Sequence, residues 1–273
     1  MNPLVVMVAP NGARRTKADH VKVPITPAEI ARDAASCAEA GASVLHVHVR
    51  AADGRHSLNP DLYRAAIEAV RAALGERLVI QITTEAVGRY TPAEQMRVVR
   101  ELRPEAVSLA LAELIPDEDA TDDAAAFLAW LRRERIAPQY ILYSPQEVAR
   151  FHDLRGRGVI PQRRPFALFV LGRYAERTEA QPHDMLPYLA AHDAGCPWSL
   201  CAFGPREAAC VLTAAGLGGH VRVGFENNLW LADGRLAASN ADLVEQVARG
   251  AGLLGRRVAD VQTTRAFLAE TVE

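Results

Sequence analysis

Apolar residues follow two alternating patterns along the chain. Short runs rich in β-branched residues alternate with longer runs in which apolar residues recur every three or four positions. The short runs predict eight strands, at 4–9, 43–49, 78–84, 106–112, 138–143, 166–172, 198–203 and 220–224. The longer runs predict eight helices, at 26–41, 59–75, 91–104, 121–135, 145–153, 182–191, 205–217 and 240–254. This regular succession indicates parallel strands joined by helices.

The predicted helices begin and end at recognisable capping residues. Thr26 is followed by a proline and then by Glu29, while Gly41 follows the last apolar position of the first helix. A capping hydroxyl, a proline in the first turn and a glycine after the end are typical helix boundaries. Two further helices begin in the same way, at 59–60 and 91–92. The helical runs are therefore separate elements.

The number of strand–helix pairs favours one fold class. Eight pairs fill 273 residues without a long linker or a low-complexity tract, and about 250 residues are typical of a (β/α)8 barrel. An open, doubly wound sheet is the alternative. No G-x-G-x-x-G turn follows any predicted strand, which favours the barrel. We predict an α/β fold, a single TIM-barrel domain over 1–273.

Composition narrows the partners and the compartment. The net charge of −2 gives no basic field for nucleic acid or an anionic membrane. The four cysteines contain no C-x-x-C pair, which fits a reducing compartment. The apolar run near Met1 is too short for a membrane span and lacks the features of a signal peptide. We expect a cytoplasmic protein with neither a nucleic-acid nor a membrane partner.

The stretch VLHVHVR at 44–50 carries the first candidate chemistry. His46 and His48 share one parity in the second predicted strand, so both imidazoles point to the same side. An H-x-H spacing is common by chance, and two core histidines are the alternative interpretation. In a barrel, however, the C-terminal ends of the strands hold the active site. Inward imidazoles there need partners, and a cation is a natural one.

A metal needs a third ligand, and the last predicted strand supplies one. The remaining histidines fall in predicted loops, in or beside helices, or at a strand start, and strands five and six have none. That argues against the amidohydrolase pattern. Glu226 lies just past the end of strand eight and shares a parity with Arg222. Two histidines and a carboxylate leave coordination positions open, as catalytic metals require. Arg222 is either an anion holder beside the metal or a buried ion-pair partner of Glu226.

Four motifs together resemble a known family. HVHVR on strand two, HVRVGFENN on strand eight, the opening APNGAR and FVLG on strand six resemble the β-keto acid cleavage enzymes, in order and over nearly the whole chain. The resemblance implies a metal-dependent TIM barrel, usually with zinc, that forms a tetramer or a dimer. It also implies an enzyme that condenses a β-keto acid with acetyl-CoA and releases acetoacetate and a new acyl-CoA.

The resemblance also implies residue roles. It makes His46, His48 and Glu226 the ligands of one divalent metal ion per chain, and Arg222 the catalytic arginine. It assigns substrate binding to polar residues of strands three and four and of the opening motif, namely Thr83, Thr84, Ser108, Asn11 and Arg14. A bound Zn²⁺ would act as the electron sink that carbon–carbon cleavage needs.

Three positions depart from the family pattern. Asn227 stands where relatives usually have an aspartate that pairs with the arginine as a base, and it is kept as a candidate catalytic residue. Glu85 replaces the first glycine after the strand-three motif and is either a substitute base or a solvated loop carboxylate. Arg14 replaces an acidic residue, which predicts a substrate without a cationic tail.

These departures leave other functions open. One alternative is a metal-dependent aldolase or hydrolase that does not use CoA. Another is a catalytically idle barrel that binds a metal or a ligand, which the loss of the aspartate at Asn227 favours. The β-keto acid cleavage enzyme is the leading hypothesis.

Overall fold

The strands close into one parallel barrel. The computed structural model describes residues 2–173 and 179–273. Eight strands of these residues pair in sequence order around the barrel, and the first pairs with the last. Two further strands, β3 and β4, form an antiparallel hairpin. The strands are β1 (Val6–Val8), β2 (Val44–Val47), β3 (Val49–Arg50), β4 (His56–Ser57), β5 (Val79–Thr83), β6 (Ala106–Ala110), β7 (Ala137–Leu142), β8 (Phe166–Leu171), β9 (Trp198–Ala202) and β10 (His220–Val223). The predicted TIM barrel is confirmed.

Helices surround the barrel, and their caps agree with the sequence signals. Thr26 accepts a hydrogen bond from the Glu29 amide, while the Glu29 carboxylate accepts from the Thr26 amide. Such a reciprocal capping box fixes the point at which a helix begins. The α-helices are α1 (Pro27–Ala40), α2 (Pro60–Leu74), α3 (Pro92–Leu102), α4 (Leu111–Leu114), α5 (Thr121–Glu134), α6 (Pro145–Gly156), α7 (Leu186–Ala191), α8 (Glu207–Gly216), α9 (Asn240–Leu253) and α10 (Val261–Val272), and a 3₁₀ turn spans Pro182–Met185. None of the described helices is long and apolar enough to cross a membrane.

The two ends of the barrel interior differ in polarity. At the end where the strands begin, Met7, Val44 and Val79 form an apolar layer across the interior. Leu268 and Val272 of α10 pack against this layer and close that end. Polar side chains are therefore concentrated at the opposite end, where strands of a TIM barrel carry their chemistry.

The structure corrects several predicted boundaries. The strand predicted over 43–49 is interrupted at His48, because the Asn11 side chain replaces the ladder there. Asn11 Nδ2 donates to the His48 carbonyl at 3.0 Å, and the His48 amide donates to Asn11 Oδ1 at 3.4 Å. The strand predicted over 106–112 ends at Ala110, where the helix-forming sequence of α4 begins. The hairpin and α10 were not predicted.

Candidate metal centre and active site

Three side chains converge at the C-terminal end of the barrel. His46 Nε2 lies 3.1 Å from His48 Nε2, and Glu226 Oε2 lies 3.6 Å and 3.5 Å from these two nitrogens. All three residues are buried. Within the described part of the chain they are the one group of His, Cys, Asp or Glu residues that could hold a metal ion. The parity argument from the sequence thus brought together residues that are in contact.

Two glycines allow Glu226 to reach the histidines. Gly224 follows β10 with a φ of 138°, a conformation that favours glycine, and a Cβ there would lie 2.4 Å from the Ala9 carbonyl oxygen. Gly12 has a φ of 57°, and a Cβ there would lie 2.5 Å from Glu226 Cγ. The Glu226 amide donates to the Ala9 carbonyl at 3.1 Å. The loop after β1 therefore packs directly against the Glu226 carboxylate.

The protonation states of these residues suit a cation. Burial lowers the pKa of His46 to about 4, so the imidazole is neutral near pH 7. Its Nδ1–H donates to Gln81 Oε1 at 2.8 Å, which turns the Nε2 lone pair towards the centre. Burial opposes ionisation of Glu226, but the positive charge of Arg222 holds the pKa of that carboxyl well below its usual range.

The spacing of the three ligand atoms fits a tetrahedral metal. Zinc–nitrogen bonds of 2.0–2.1 Å at tetrahedral angles place neighbouring ligand atoms about 3.3 Å apart, close to the separations of 3.1–3.6 Å seen here. Glu226 Oε2 is buried and has no hydrogen-bond donor among the described residues. A divalent cation would satisfy this oxygen and both imidazoles together.

A buried chain of amides supports His46 from across the barrel. Gln81 Nε2 donates to Gln139 Oε1 at 3.3 Å, and Gln139 Nε2 donates to Ser199 Oγ at 3.1 Å. Ser199 Oγ donates in turn to the Ala167 carbonyl at 3.1 Å. Sequence reasoning did not identify this chain, although the inward parity of Gln81 in its strand was a usable signal.

Arg222 lies beside the carboxylate ligand and is buried. Its Nη2 is 3.5 Å from Glu226 Oε1 and donates to Cys201 Sγ at 3.5 Å. The ion pair of the alternative interpretation is therefore present. Nε and Nη1 of Arg222, however, are buried without an acceptor among the described residues. An unpaired buried donor is costly, so these N–H groups are suited to bind an anion at the centre.

The strand-three and strand-four candidates divide into two groups. Thr83 lines a small pocket of about 10 Å³ together with both histidines. Ser108 neighbours Thr83 on the adjacent strand, and its buried hydroxyl has no partner among the described residues. Thr84 faces away and donates to the Ser108 carbonyl at 3.3 Å. The structure thus brings Thr83 and Ser108 towards the centre, but not Thr84.

The two opening-motif candidates occupy different places. Asn11 is fully buried, and its carboxamide binds the Pro24 and His48 carbonyls. It positions the backbone of His48 and does not line the pocket beside the metal centre. Arg14 is exposed at a larger cavity of about 460 Å³, which adjoins the metal pocket through Arg173 and Glu226. Only Arg14 of the two is accessible to a ligand in that cavity.

Glu85 is not the solvated loop carboxylate of the alternative interpretation. Its side chain is only 9% exposed, and it accepts a hydrogen bond from Arg173 Nη2 at 2.6 Å. Its second oxygen lies 3.8 Å from His48 Nδ1. Burial raises the pKa of Glu85, although Arg173 opposes the rise. Glu85 is therefore a buried acid at the metal pocket, and its role as a base stays a prediction.

Two buried charged residues of the site were missed from the sequence. Glu207 begins α8 and is fully buried, and burial raises its pKa to about 8. Asn227 donates to it from Nδ2 at 3.4 Å. Arg50 donates to carbonyls of the loop after β1, including Asn11 at 3.4 Å and Arg15 at 3.1 Å. The inward parity of Arg50 with the histidines could have indicated its burial, whereas no local pattern marked Glu207.

Fold and site together define a class, and comparison with known proteins refines it. A polar, buried His-His-Glu centre at the C-terminal end of a TIM barrel, next to an open cavity, is typical of a barrel enzyme with a metal-dependent active site. Residues 3–269 match the sequence model of the family described as beta-keto acid cleavage enzyme. The chain belongs to that family and is an enzyme. The idle-barrel alternative is therefore wrong, and the leading hypothesis is confirmed.

Individual relatives agree with this assignment. The chain is 32% identical to the 3-keto-5-aminohexanoate cleavage enzyme of Fusobacterium nucleatum, with 98% of each chain covered. It is 29% identical to the 3-oxoadipate:acetyl-CoA acetyltransferase of Cupriavidus necator, covering 97% of this chain and 94% of that one. The solved apo structure of ObcA superposes with a TM-score of 0.73 at 18% identity over 90% of this chain. This chain spans 65% of the length of ObcA, and that likeness shows the fold only.

Proposed function

We propose that the protein transfers the carboxymethyl unit of a β-keto acid to acetyl-CoA, with one zinc ion bound to His46, His48 and Glu226. The carbon–carbon bond between the acyl carbonyl and the CH2–COO⁻ unit of the β-keto acid breaks. A new bond joins that unit to the acetyl carbonyl, which leaves the CoA sulfur, and the sulfur takes the acyl group. Acetoacetate and a new acyl-CoA result, with no net change in protons or electrons.

One observation carries the proposal: unpaired N–H donors of Arg222 stand next to a three-ligand centre that fits a divalent metal. When bound, the metal supplies a Lewis acid that withdraws electrons from a β-keto oxygen. Arg222 contributes a fixed, desolvated positive charge, which stabilises negative charge that develops on the substrate in the transition state. The buried residues that line the pocket exclude water from it.

The remaining roles follow from position. Thr83 lines the pocket, and Ser108 is its neighbour on the adjacent strand; their hydroxyls would donate to the substrate carboxylate. Glu85 would accept the proton from the carbon between the two carbonyl groups and would return it to that carbon after the carbon–carbon bond breaks, because a buried carboxyl with a raised pKa is a stronger base than an exposed one. Arg173 holds this carboxylate in place through the 2.6 Å contact.

The nature of the metal and the quaternary structure are part of the proposal. The two neutral imidazoles and one carboxylate form a donor set that zinc accepts readily. We also expect a homo-oligomer, a tetramer or a dimer, as the resemblance implies. Elemental analysis of protein purified without chelator, and light scattering, measure the two properties directly; less than one divalent metal per chain would contradict the metal assignment.

The test of the activity is a substrate panel. Purified protein is mixed with acetyl-CoA and β-keto acids that carry an anionic, a neutral or an aminated tail, and both acetoacetate and the new acyl-CoA are quantified. Equal amounts of the two products, and none when acetyl-CoA is omitted, are expected. Cleavage that proceeds without acetyl-CoA would instead identify an aldolase or a hydrolase.

A further inference from the structure

Glu207 is the buried acid that the proposed reaction does not use. Its Oε1 accepts from the Gly224 amide at 3.3 Å and from Asn227 Nδ2 at 3.4 Å, and its Oε2 accepts from Asn228 Nδ2 at 3.3 Å. No lysine, arginine or histidine of the described residues forms an ion pair with it. A fully buried carboxyl held only by neutral donors is costly to keep. We therefore expect that Glu207 orients the groups that donate to it.

The contacts of Asn227 fix the orientation of its carboxamide. Nδ2 faces Glu207 Oε1 and, also at 3.4 Å, the Arg222 carbonyl. Glu207 Oε1 already accepts the Gly224 amide, so it is an acceptor whether or not Oε2 carries a proton. Two acceptors on one edge require the NH2 group of Asn227 on that edge. The carbonyl oxygen, Oδ1, must then lie on the other edge.

Asn227, which lines the larger cavity, has a buried and unused acceptor in Oδ1. The residue lines the cavity of about 460 Å³ but is only 1% exposed, and Oδ1 has no hydrogen-bond donor among the described residues. A ligand in the cavity would have to offer an N–H or O–H group to satisfy it. This cavity adjoins the metal pocket through Arg173 and Glu226 and is far larger than that pocket, so we expect the longer co-substrate to extend through it.

The co-substrates differ in what they can donate. The carboxylate, ketone and thioester groups of the two co-substrates present only acceptors, whereas the pantetheine arm of acetyl-CoA carries two amide N–H groups. We propose that Glu207 is a positioning residue that orients the Asn227 carboxamide, so that Oδ1 accepts a hydrogen bond from a pantetheine amide of acetyl-CoA. This inference rests on the proposed use of acetyl-CoA. It gives Asn227 a binding role in place of the proton transfer of an aspartate.

The test is a double-mutant cycle with Glu207→Gln, Asn227→Asp and the combined variant, and Glu245→Gln as an exposed control. Glu207→Gln offers one acceptor oxygen to three donors, so the Asn227 amide loses its fixed orientation. Acetyl-CoA binding by calorimetry should weaken roughly tenfold, the effect of about one lost hydrogen bond. The KM for acetyl-CoA should rise in parallel, while kcat, the KM for the β-keto acid and the metal content stay unchanged.

Asn227→Asp places two carboxylates against each other, 3.4 Å apart in the wild-type geometry. The change removes the Nδ2 donor and leaves two acceptor oxygens facing each other, so it should be at least fivefold more harmful to acetyl-CoA binding in the wild-type background than in Glu207→Gln, a coupling expected of residues in contact. The same non-additivity is expected in the melting temperature. Strictly additive effects would overturn the proposed orientation.

Two outcomes separate this inference from the proposed function. Wild-type protein that forms acetoacetate, with variants that bind acetyl-CoA normally, would refute the inference alone. Protein whose acetyl-CoA binding follows the cycle but that forms no acetoacetate would refute the proposed reaction alone. If Glu207→Gln does not fold, Asn227→Ala is measured instead, because it removes the proposed acceptor Oδ1 from a residue that lines the cavity. Unchanged acetyl-CoA affinity in Asn227→Ala would overturn the proposal.

Discussion

Two histidine pairs of the described residues have ring nitrogens in contact, with nearly identical spacing and different surroundings. His46 and His48 have ring nitrogens 3.1 Å apart, and so do His152 and His192. Their ring centroids are 5.1 Å and 5.0 Å apart. The first pair faces the barrel interior, whereas the second joins α6 to the chain that follows α7. Distance between imidazoles therefore does not separate a candidate metal site from a structural contact.

The two pairs differ in the hydrogen bonds of the carboxylate that lies beside each of them. Glu226 Oε2 has no hydrogen-bond donor among the described residues. Asp193, beside the second pair, accepts from Arg155 at 2.9 Å and from the Gly195 amide at 2.9 Å. His192 Nε2 likewise donates to the Cys196 carbonyl at 3.1 Å. Among the described residues, no buried side-chain nitrogen or oxygen of the second pair or of Asp193 lacks a hydrogen-bond partner, whereas His48 Nδ1 and Glu226 Oε2 lack one, and we propose that a cation completes the first pair.

The largest effect should come from removal of a ligand of the first pair. His46→Ala should reduce metal affinity by more than about 100-fold, because even partners in the outer shell of a metal site are worth 10–100-fold, and acetoacetate formation should cease. His192→Ala is the matched control and should retain one metal per chain. Elemental analysis and activity measure both. Metal retained at wild-type content in His46→Ala would remove the distinction between the pairs.

Arg222 should be needed for turnover but not for folding. Arg222→Met keeps much of the side-chain volume and removes the charge, so acetoacetate formation should fall roughly 10²–10³-fold, as for loss of one transition-state donor. The proposed metal would neutralise Glu226, so melting temperature and metal content should change little. Arg155→Met, beside the second histidine pair, should keep full activity. Near-normal turnover with a large fall in melting temperature would show that Arg222 is structural.

The second pair should contribute to the loss of stability in acid. Burial lowers the pKa of His192 to about 4, whereas a free histidine titrates near 6.5. As pH falls from about 6.5 to 4, the unfolded chain binds a proton that the native protein does not, so the free energy of unfolding decreases. His192→Gln should flatten the fall in melting temperature across this window without loss of metal. An unchanged slope would exclude His192 as its source.

The smallest expected effect concerns the arginines near each pair. No carboxylate of the described residues lies within 4.0 Å of the Arg14 guanidinium, whereas Arg155 is paired with Asp193. Arg14→Glu should shift the preference towards β-keto acids with an aminated tail by about fivefold, which corresponds to roughly 1 kcal/mol in a solvated cavity. The ratio of kcat/KM values for an aminated and an anionic substrate measures this. Arg249→Glu, on the surface, should leave the ratio unchanged.

Much of the fold and of the metal centre was predictable, because both depend on local periodicity. Side chains of a strand alternate between its two faces, which predicted the direction of His46 and His48. The rule that the chemistry of a barrel lies at the C-terminal ends of its strands indicated Glu226. The break at His48 was not predictable, since it depends on Asn11, 37 residues away in sequence. Glu207 was missed for the same reason: only tertiary packing places the start of α8 beneath the loop after β10. Helix α10 follows α9 and not a barrel strand, so a prediction based on counting strand–helix units does not include it.

The amide chain behind His46 has a direction as well as a length. Every donor in it points the same way, from His46 through Gln81, Gln139 and Ser199 to the Ala167 carbonyl. That carbonyl belongs to β8, and a backbone oxygen cannot become a donor. The Ala167 carbonyl, on the far wall of the barrel, thus fixes the proton of His46 on Nδ1. If that proton moved to Nε2, the two glutamine amides and the Ser199 hydroxyl would all have to reorient. Ser199 contacts none of the three candidate metal ligands. A substitution there would nevertheless free the amides to turn and the His46 proton to move to Nε2, which would remove the lone pair that could bind a metal.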